Sequence, residues 1–380
     1  MGPAWPERIA TAGPGLVLAL ALACAGPDAA AFDLQGHRGA RGLAPENTLP
    51  AFELALAIGV HTLELDVGLT RDGVLVISHD PRLNPEITRG PDGRFLDGPG
   101  PLIHHSTLAD LQRYELGRLK PGGRYAAQFP DQVAVDGTRL PTLAALFALV
   151  QQSGNGAVRF DIETKISPLA PDDSATPEVM ARALIGEIRR AGLTERCTIQ
   201  SFDWRTLQVV QREAPEIPTA YLTAQQRWLD NLAASPDGTS PWTAGFLLRE
   251  HGTVPRLVKA AGGGIWSAYF KDLDAAKVRQ AQALGLQVLA WTVNEPADIA
   301  RLLDLGVDGL ISDRPDRVRS EMARRGMALP QAVSEGVDEM NDTRAGAAKG
   351  AGVGALRSPG LRLSKRRNAP QRSWPPRPEE

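Results

Sequence analysis

The chain has 380 residues, 43% of them hydrophobic and 23% charged, with a formal net charge of −2. That balance supplies enough apolar material for a sizeable core and excludes disorder as the ground state. It also argues against nucleic acid as the main partner, although the charge is uneven: residues 343–380 hold nine Lys or Arg against two acids, a net +7, which leaves −9 on the rest.

Residues 1–31 read as a signal peptide, with Arg8 as the positive charge, a ten-residue apolar run at 16–25, and Ala29, Ala30 and Ala31 as small residues for cleavage. The run is bounded by Pro14 and Pro27 and is shorter than the roughly 20 apolar residues of a membrane span. The expectation is export to the periplasm or medium, with a mature chain beginning near Phe32. Lipoprotein anchoring through Cys24 is the alternative, which Leu22 two positions earlier disfavours. With Cys24 removed, Cys197 is the one cysteine left, so no intramolecular disulfide is expected.

From 32 to 326 short apolar strands alternate with helical patterns, the signature of a parallel α/β architecture. The predicted strands are 33–37, 62–69, 74–79, 158–164, 198–202, 219–222, 265–270, 288–293 and 309–312. The predicted helices are 49–58, 142–151, 177–191, 204–213, 274–284 and 296–305, several of them followed by Gly. Nine strands are one too many for an eight-stranded barrel. Asp72-Gly73 between two β-rich runs is a hairpin signal, which makes 74–79 an antiparallel return arm and leaves eight. The fold class expected is therefore α/β, a TIM (β/α)8 barrel with a small insertion subdomain after strand 2. That insertion spans 81–140, a Gly- and Pro-rich stretch with one helical run near 108–116. Residues 327–380 read as a basic, disordered tail. The tail offers weak envelope association, against the plainer reading of a solvated extension.

Active sites of such barrels lie at the C-terminal strand ends, so polar residues there are read first as chemistry. His37 and Arg38 close strand 1, Glu64 and Asp66 share one face of strand 2, and Asp161, Glu163 and Lys165 repeat that spacing on the next barrel strand. A carboxylate pair at i, i+2 on a strand is by default a solvated face. Inside a barrel it is buried, and ionised carboxylates there need a cation or base. Oxygen ligands of this kind favour one divalent cation, Ca²⁺ or Mg²⁺, over zinc. A two-residue Asp72-Gly73 loop places Arg71 opposite Val74 and Asp66 opposite His79, which brings a second histidine to the site. Two histidines beside a cation suit acid–base cleavage of a phosphate ester, with Arg38 and Lys165 balancing phosphate charge. Trp291 is either core filling or a pocket wall, while His61, His104, His105 and His251 read as structural hydrogen bonders.

The run His37-Arg38-Gly39-Ala40 followed by Ala44-Pro45-Glu46-Asn47-Thr48 closely resembles the opening motif of the glycerophosphodiester phosphodiesterase family. Glu64-Leu65-Asp66-Val67, Thr70-Arg71-Asp72-Gly73, Ser78-His79-Asp80, Gln200-Ser201-Phe202-Asp203, Trp291-Thr292-Val293-Asn294 and Ile311-Ser312-Asp313-Arg314-Pro315 are similar to its later blocks, in order. The resemblance implies hydrolysis of glycerophosphodiesters to an alcohol and sn-glycerol 3-phosphate with a Ca²⁺ or Mg²⁺ requirement. By matching position, it makes His37 and His79 the acid and base and Glu64, Asp66 and Glu163 the metal ligands. Arg38, Glu46 and Lys165 then line the phosphate region and Trp291 the glycerol side. The block Asp161-Ile162-Glu163-Thr164-Lys165 departs from the family's usual Glu-Leu or Glu-Ile-Lys form but keeps the charged alternation. The competing readings are a barrel phosphodiesterase that forms a cyclic phosphate or acts on lysophospholipids, and a phosphodiester-binding barrel without catalysis. No sequence feature fixes the head group or the oligomeric state.

Overall fold

The computed structural model describes residues 32–233 and 235–333, together with Met1 and Gly2. The expected signal peptide and the tail beyond 333 lie outside the described residues. Nine strands follow in chain order: β1 Asp33–Gly36, β2 Thr62–Leu69, β3 Leu75–Ile77, β4 Arg159–Thr164, β5 Cys197–Ser201, β6 Thr219–Thr223, β7 Ile265–Tyr269, β8 Gln287–Trp291 and β9 Gly309–Ser312. The helices are α1 Leu49–Ile58, α2 Leu108–Leu111, α3 Arg124–Gln128, α4 Leu143–Gln152, α5 Pro177–Arg190, α6 Trp204–Glu213, α7 Leu248–His251, α8 Val254–Ala260, α9 Ala275–Ala283, α10 Pro296–Leu305 and α11 Pro315–Arg324. Every strand but β3 pairs in parallel, in the order β1-β9-β8-β7-β6-β5-β4-β2, and a β2–β1 pairing closes the ring. This is the expected TIM barrel. Among the described residues no helix is long and apolar enough to cross a membrane.

The alternation on β2 and β4 builds the barrel's two environments. Leu63, Leu65 and Val67 join Phe160 and Ile162 in the apolar layer under the helices, all at most 1% exposed. Between them Glu64, Asp66, Asp161 and Glu163 point to the other face and are buried too. Helix starts are set by side-chain caps from Thr48, Thr142, Thr176, Asp203 and Asp274, each accepting a backbone N–H of the first turn.

Strand β1 ends at Gly36, which frees the upper edge of β2 for the antiparallel arm β3. The hairpin register differs by one residue from the expected one. Val67 faces Ile77, Gly68 faces Val76 and Leu69 faces Leu75, so Ser78, not His79, stands opposite Asp66 and donates its N–H to the Asp66 carbonyl at 2.9 Å. The cause is local: the Thr70 hydroxyl accepts the Val74 N–H at 2.9 Å and donates to Asp72 at 2.6 Å, extending the loop to Arg71-Asp72-Gly73 with Gly73 at φ +77°. An αL glycine closing a three-residue loop is the other common use of Asp-Gly.

The insertion builds its own small core from Leu83, Ile87, Ile103, Leu111, Leu116, Tyr125, Phe129 and Leu140. Its helix near 108–116 is shorter than expected, spanning Leu108–Leu111. The folded part also runs past the expected limit of 326. Met327 and Val333 pack on the core, and Val333 donates to the Leu56 carbonyl at 3.0 Å. Helices α3, α7, α8 and α11 were not among the expected ones; α8 and α11 each carry a proline in the first turn.

Candidate active site

The β1–α1 loop starts the site. Arg38 and Asn47 take left-handed backbone conformations, φ 49° and 55°, a strained state for residues with a Cβ that local contacts must hold. Gly39 between them is required, since at φ +85° a Cβ would meet the Ala51 backbone at 2.6 Å. The loop so bent turns Arg38 inward. Its backbone N–H reaches Glu64 Oε2 at 2.9 Å, Nη1 reaches Glu46 Oε1 at 2.9 Å, and Nε lies 3.2 Å from Asp66 Oδ2. Asn47 Nδ2 donates to the same Asp66 oxygen at 2.9 Å, and Gln200 Nε2 from β5 donates to Glu64 Oε1 at 2.9 Å.

Glu64 and Asp66 of β2 meet Glu163 of β4 because the parallel register sets Asp66 beside Glu163. One oxygen from each of the three lies within 4.8 Å of the others, all three being buried. Lys165 Nζ donates to Glu163 Oε1 at 2.6 Å and stands 3.5 Å from Asp66 Oδ1, an oxygen that receives no hydrogen bond. A buried, oxygen-only trio with an orphaned carboxylate oxygen fits a hard divalent cation.

The histidines border this trio. His37 Nδ1 is 2.6 Å from Asp313 Oδ1 of the β9–α11 turn, and its Nε2 is 3.9 Å from Glu64 Oε2. His79 Nδ1 is 2.7 Å from Asp80 Oδ1, and Asn84 holds the other Asp80 oxygen at 2.7 Å. Despite the shifted register His79 stays near the trio: Ser78 before it is bonded to the Asp66 carbonyl, and His79 shares a cleft with Asn47, which donates to the Asp66 carboxylate. Glu46, Asn47, His79, Asp80 and Asn84 line one cleft between barrel and insertion. A larger cavity, about 470 Å³, opens at the opposite strand ends beside Phe147, Phe160 and Arg196; none of the expected site residues lines it.

Burial dominates the electrostatics. It lowers the His37 pKa to about 4, Asp313 opposing and Arg41 and Arg38 reinforcing. It raises Glu64 well above the usual range, with Asp66 adding repulsion, and lifts Glu163 to about 7 against the pull of Lys165. For Asp66 burial is outweighed by Arg38, Lys165 and His79, which hold it well below the ordinary range. These shifts predict the stability of the metal-free protein. Glu163 binds its proton more tightly folded than unfolded, so its contribution is present at low pH and is lost as pH rises through about 7; Glu64 acts in the same direction. His37 acts oppositely, but only between about pH 4 and its ordinary 6.5. With chelator, the melting temperature therefore falls from pH 6.5 to 7.5, the stability behind it dropping by at most about 1.4 kcal/mol per pH unit per proton, and millimolar Ca²⁺ or Mg²⁺ reverses the fall. A flat or rising profile in chelator contradicts this.

The structure thus gathers His37, Arg38, Glu46, Glu64, Asp66, His79, Glu163 and Lys165. Trp291 is half-buried on β8, the strand opposite β4 in the ring, in an aromatic group with Phe202, Trp228 and Tyr269. His61 and His104 are structural, bonding the Leu34 N–H and the Leu69 carbonyl. Asn47, Asp80, Gln200, Asp313 and Arg41 were given no role from sequence, although all but Arg41 lie in the motif blocks of the family resemblance, the signal that could have found them.

Fold and site together define a barrel enzyme with paired histidines, a carboxylate trio and cationic side chains at one mouth. Residues 37–317 match the Glycerophosphoryl diester phosphodiesterase family, and the chain belongs to that family of phosphoric diester hydrolases. The glycerophosphodiester phosphodiesterase of Bacillus subtilis is 29% identical, the match covering 74% of this chain and 83% of that one. A solved structure from Silicibacter pomeroyi, assigned to the same family, is 35% identical with a TM-score of 0.70, covering 79% of this chain and 96% of that one. An Oleispira antarctica phosphodiesterase, in complex with the product sn-glycerol-3-phosphate, shares the fold at 24% identity and a TM-score of 0.56, covering 77% and 96%.

Proposed function

We propose that the chain hydrolyses glycerophosphodiesters to an alcohol and sn-glycerol 3-phosphate, with His37 and His79 as the acid–base pair beside one divalent cation. The observation that carries this is the gathering of Glu64, Asp66 and Glu163 at the strand ends with His37 beside Glu64 and His79 in the adjoining cleft with Glu46 and Asn47. A hard cation held by those three carboxylates, Ca²⁺ or Mg²⁺, would polarise a phosphoryl oxygen. Water oxygen bonds to phosphorus as the phosphorus–alkoxide bond breaks. One imidazole takes the water proton and the other supplies a proton to the leaving oxygen, so both charges are managed without a covalent enzyme intermediate. Arg38 and Lys165 balance phosphate charge, Glu46 fixes the Arg38 fork, and Trp291 flanks the glycerol.

The Oleispira protein's product complex names the product to look for first. Full-length protein given glycerophosphocholine, glycerophosphoethanolamine or glycerophosphoglycerol with Ca²⁺ or Mg²⁺ releases glycerol 3-phosphate. No release from any of them sinks the reading. A lasting cyclic phosphate would move it to the alternative of a barrel phosphodiesterase that forms a cyclic phosphate. Export is proposed on the strength of Arg8 and the apolar run at 16–25, and weak envelope association on the +7 of residues 343–380. Loss of liposome binding on truncation after Val333 tests the second.

A further inference from the structure

The two oxygens of Asp313 are fully used. Oδ1 lies 2.6 Å from His37 Nδ1 and accepts from Arg41 Nε at 2.7 Å, while Oδ2 accepts from Arg41 Nη2 at 3.0 Å and Asn294 Nδ2 at 2.8 Å. Asn294 is itself fixed, its Oδ1 accepting the Asp313 N–H at 2.9 Å. Asp313 is 2% exposed. A carboxylate forked by a guanidinium in this way is an acceptor only, so the imidazole nitrogen facing it must carry hydrogen.

Arg41 is held in turn by the insertion. Its guanidinium carbon lies 4.7 Å from the centre of the Phe129 ring, and Nη1 lies 3.5 Å from the Tyr125 hydroxyl. The two rings brace each other edge to face, 5.1 Å between centres. The backbone on either side is gripped as well: Gln132 Nε2 donates to the Arg41 carbonyl at 2.7 Å and the Val133 N–H to the Leu43 carbonyl at 2.9 Å. Arg314, next to Asp313, reaches Asp131 of the same segment at 2.6 Å.

We propose that residues 125–133 of the insertion and Arg41 form a positioning relay, in which Phe129 and Tyr125 seat Arg41, Arg41 holds Asp313, and Asp313 keeps His37 in the Nδ1–H tautomer with Nε2 turned toward Glu64. The relay rests on the hydrolytic reading of His37. Asp313, Arg41 and Phe129 are positioning residues in this relay, since their contribution to it passes through His37. A hydrogen-bond partner behind a working imidazole selects both its tautomer and its ring orientation. The insertion is then more than a cover for the barrel mouth, because its aromatic pair sets the geometry of His37 through Arg41 and Asp313.

The test uses full-length protein with ¹⁵N-labelled histidine. Imidazole NMR without metal or substrate shows neutral His37 as Nδ1–H in the wild type. In Asp313→Asn the amide donates instead, and His37 switches to Nε2–H. In glycerophosphocholine turnover with Ca²⁺ or Mg²⁺, Asp313→Asn lowers kcat by about 100-fold or more with KM nearly unchanged. Phe129→Leu, which keeps apolar bulk but removes the ring face, lowers kcat about 3- to 10-fold at an unchanged melting temperature. The relay is overturned if wild-type His37 is Nε2–H, if Asp313→Asn leaves the tautomer as it was, or if Phe129→Leu keeps full kcat. Should the protein hydrolyse no glycerophosphodiester, the tautomer measurement still decides the relay, so the two readings fail separately.

Discussion

His37→Ala lowers kcat on a glycerophosphodiester by about 10²- to 10⁴-fold, the span of general acid–base catalysis, and leaves divalent-cation affinity nearly intact. The imidazole is 11% exposed, held on one nitrogen by Asp313, and 3.9 Å from a Glu64 oxygen on the other. It is placed to move a proton at the carboxylate cluster without being part of it. Its pKa of about 4 means that burial keeps it neutral at pH 7, so removing it deletes a proton acceptor and no standing charge. His79→Ala gives a loss of similar size. The double variant loses less than the product of the two, because the imidazoles serve one transition state and partial effects of such units do not add. Steady-state kinetics with metal affinity by calorimetry checks all three. A His37→Ala enzyme with kcat within a factor of about three of wild type removes His37 from catalysis.

Asp66→Asn has the second large effect, on metal and fold together. Asp66 accepts from Asn47 at 2.9 Å and pairs by charge with Arg38 Nε at 3.2 Å and Lys165 Nζ at 3.5 Å, and it is 1% exposed. The amide leaves Arg38 and Lys165 buried with one carboxylate fewer between them. Removing one partner of a buried ion pair costs about 3–5 kcal/mol. The carboxylate proposed to ligate the cation goes as well, so on that proposal affinity for Ca²⁺ or Mg²⁺ falls at least about 100-fold and activity with it. Thermal melting with and without cation separates the two. The variant melts lower than wild type in chelator, and millimolar cation restores much less of its stability. Unchanged metal affinity in Asp66→Asn would move the cation away from this trio.

Much of this was legible in the sequence for a physical reason. A strand period of two puts Glu64 and Asp66 on one face, and the Asp72-Gly73 turn demotes β3 from the barrel, so the eight-strand count and the carboxylate trio both follow from local pattern. The hairpin register did not, because the Thr70 hydroxyl selects between two loops that share the Asp-Gly pair. Asp313 was quoted within a motif yet given no task. Its partners are His37 and Arg41, 276 and 272 residues away, and no periodicity reports a contact made only when β9 closes against β1. The same holds for Val333, whose bond to Leu56 carries the fold past the last strong helix pattern.

The most direct measurement of the hydrolytic chemistry is turnover of glycerophosphocholine in ¹⁸O-water with Ca²⁺ or Mg²⁺, followed by phosphorus NMR and mass spectrometry of both products. Attack of water on phosphorus predicts glycerol 3-phosphate carrying one ¹⁸O, unlabelled choline and no lasting cyclic phosphate. Unlabelled glycerol 3-phosphate, label in the choline, or an accumulating cyclic phosphate would contradict water attack at phosphorus beside His37 and His79.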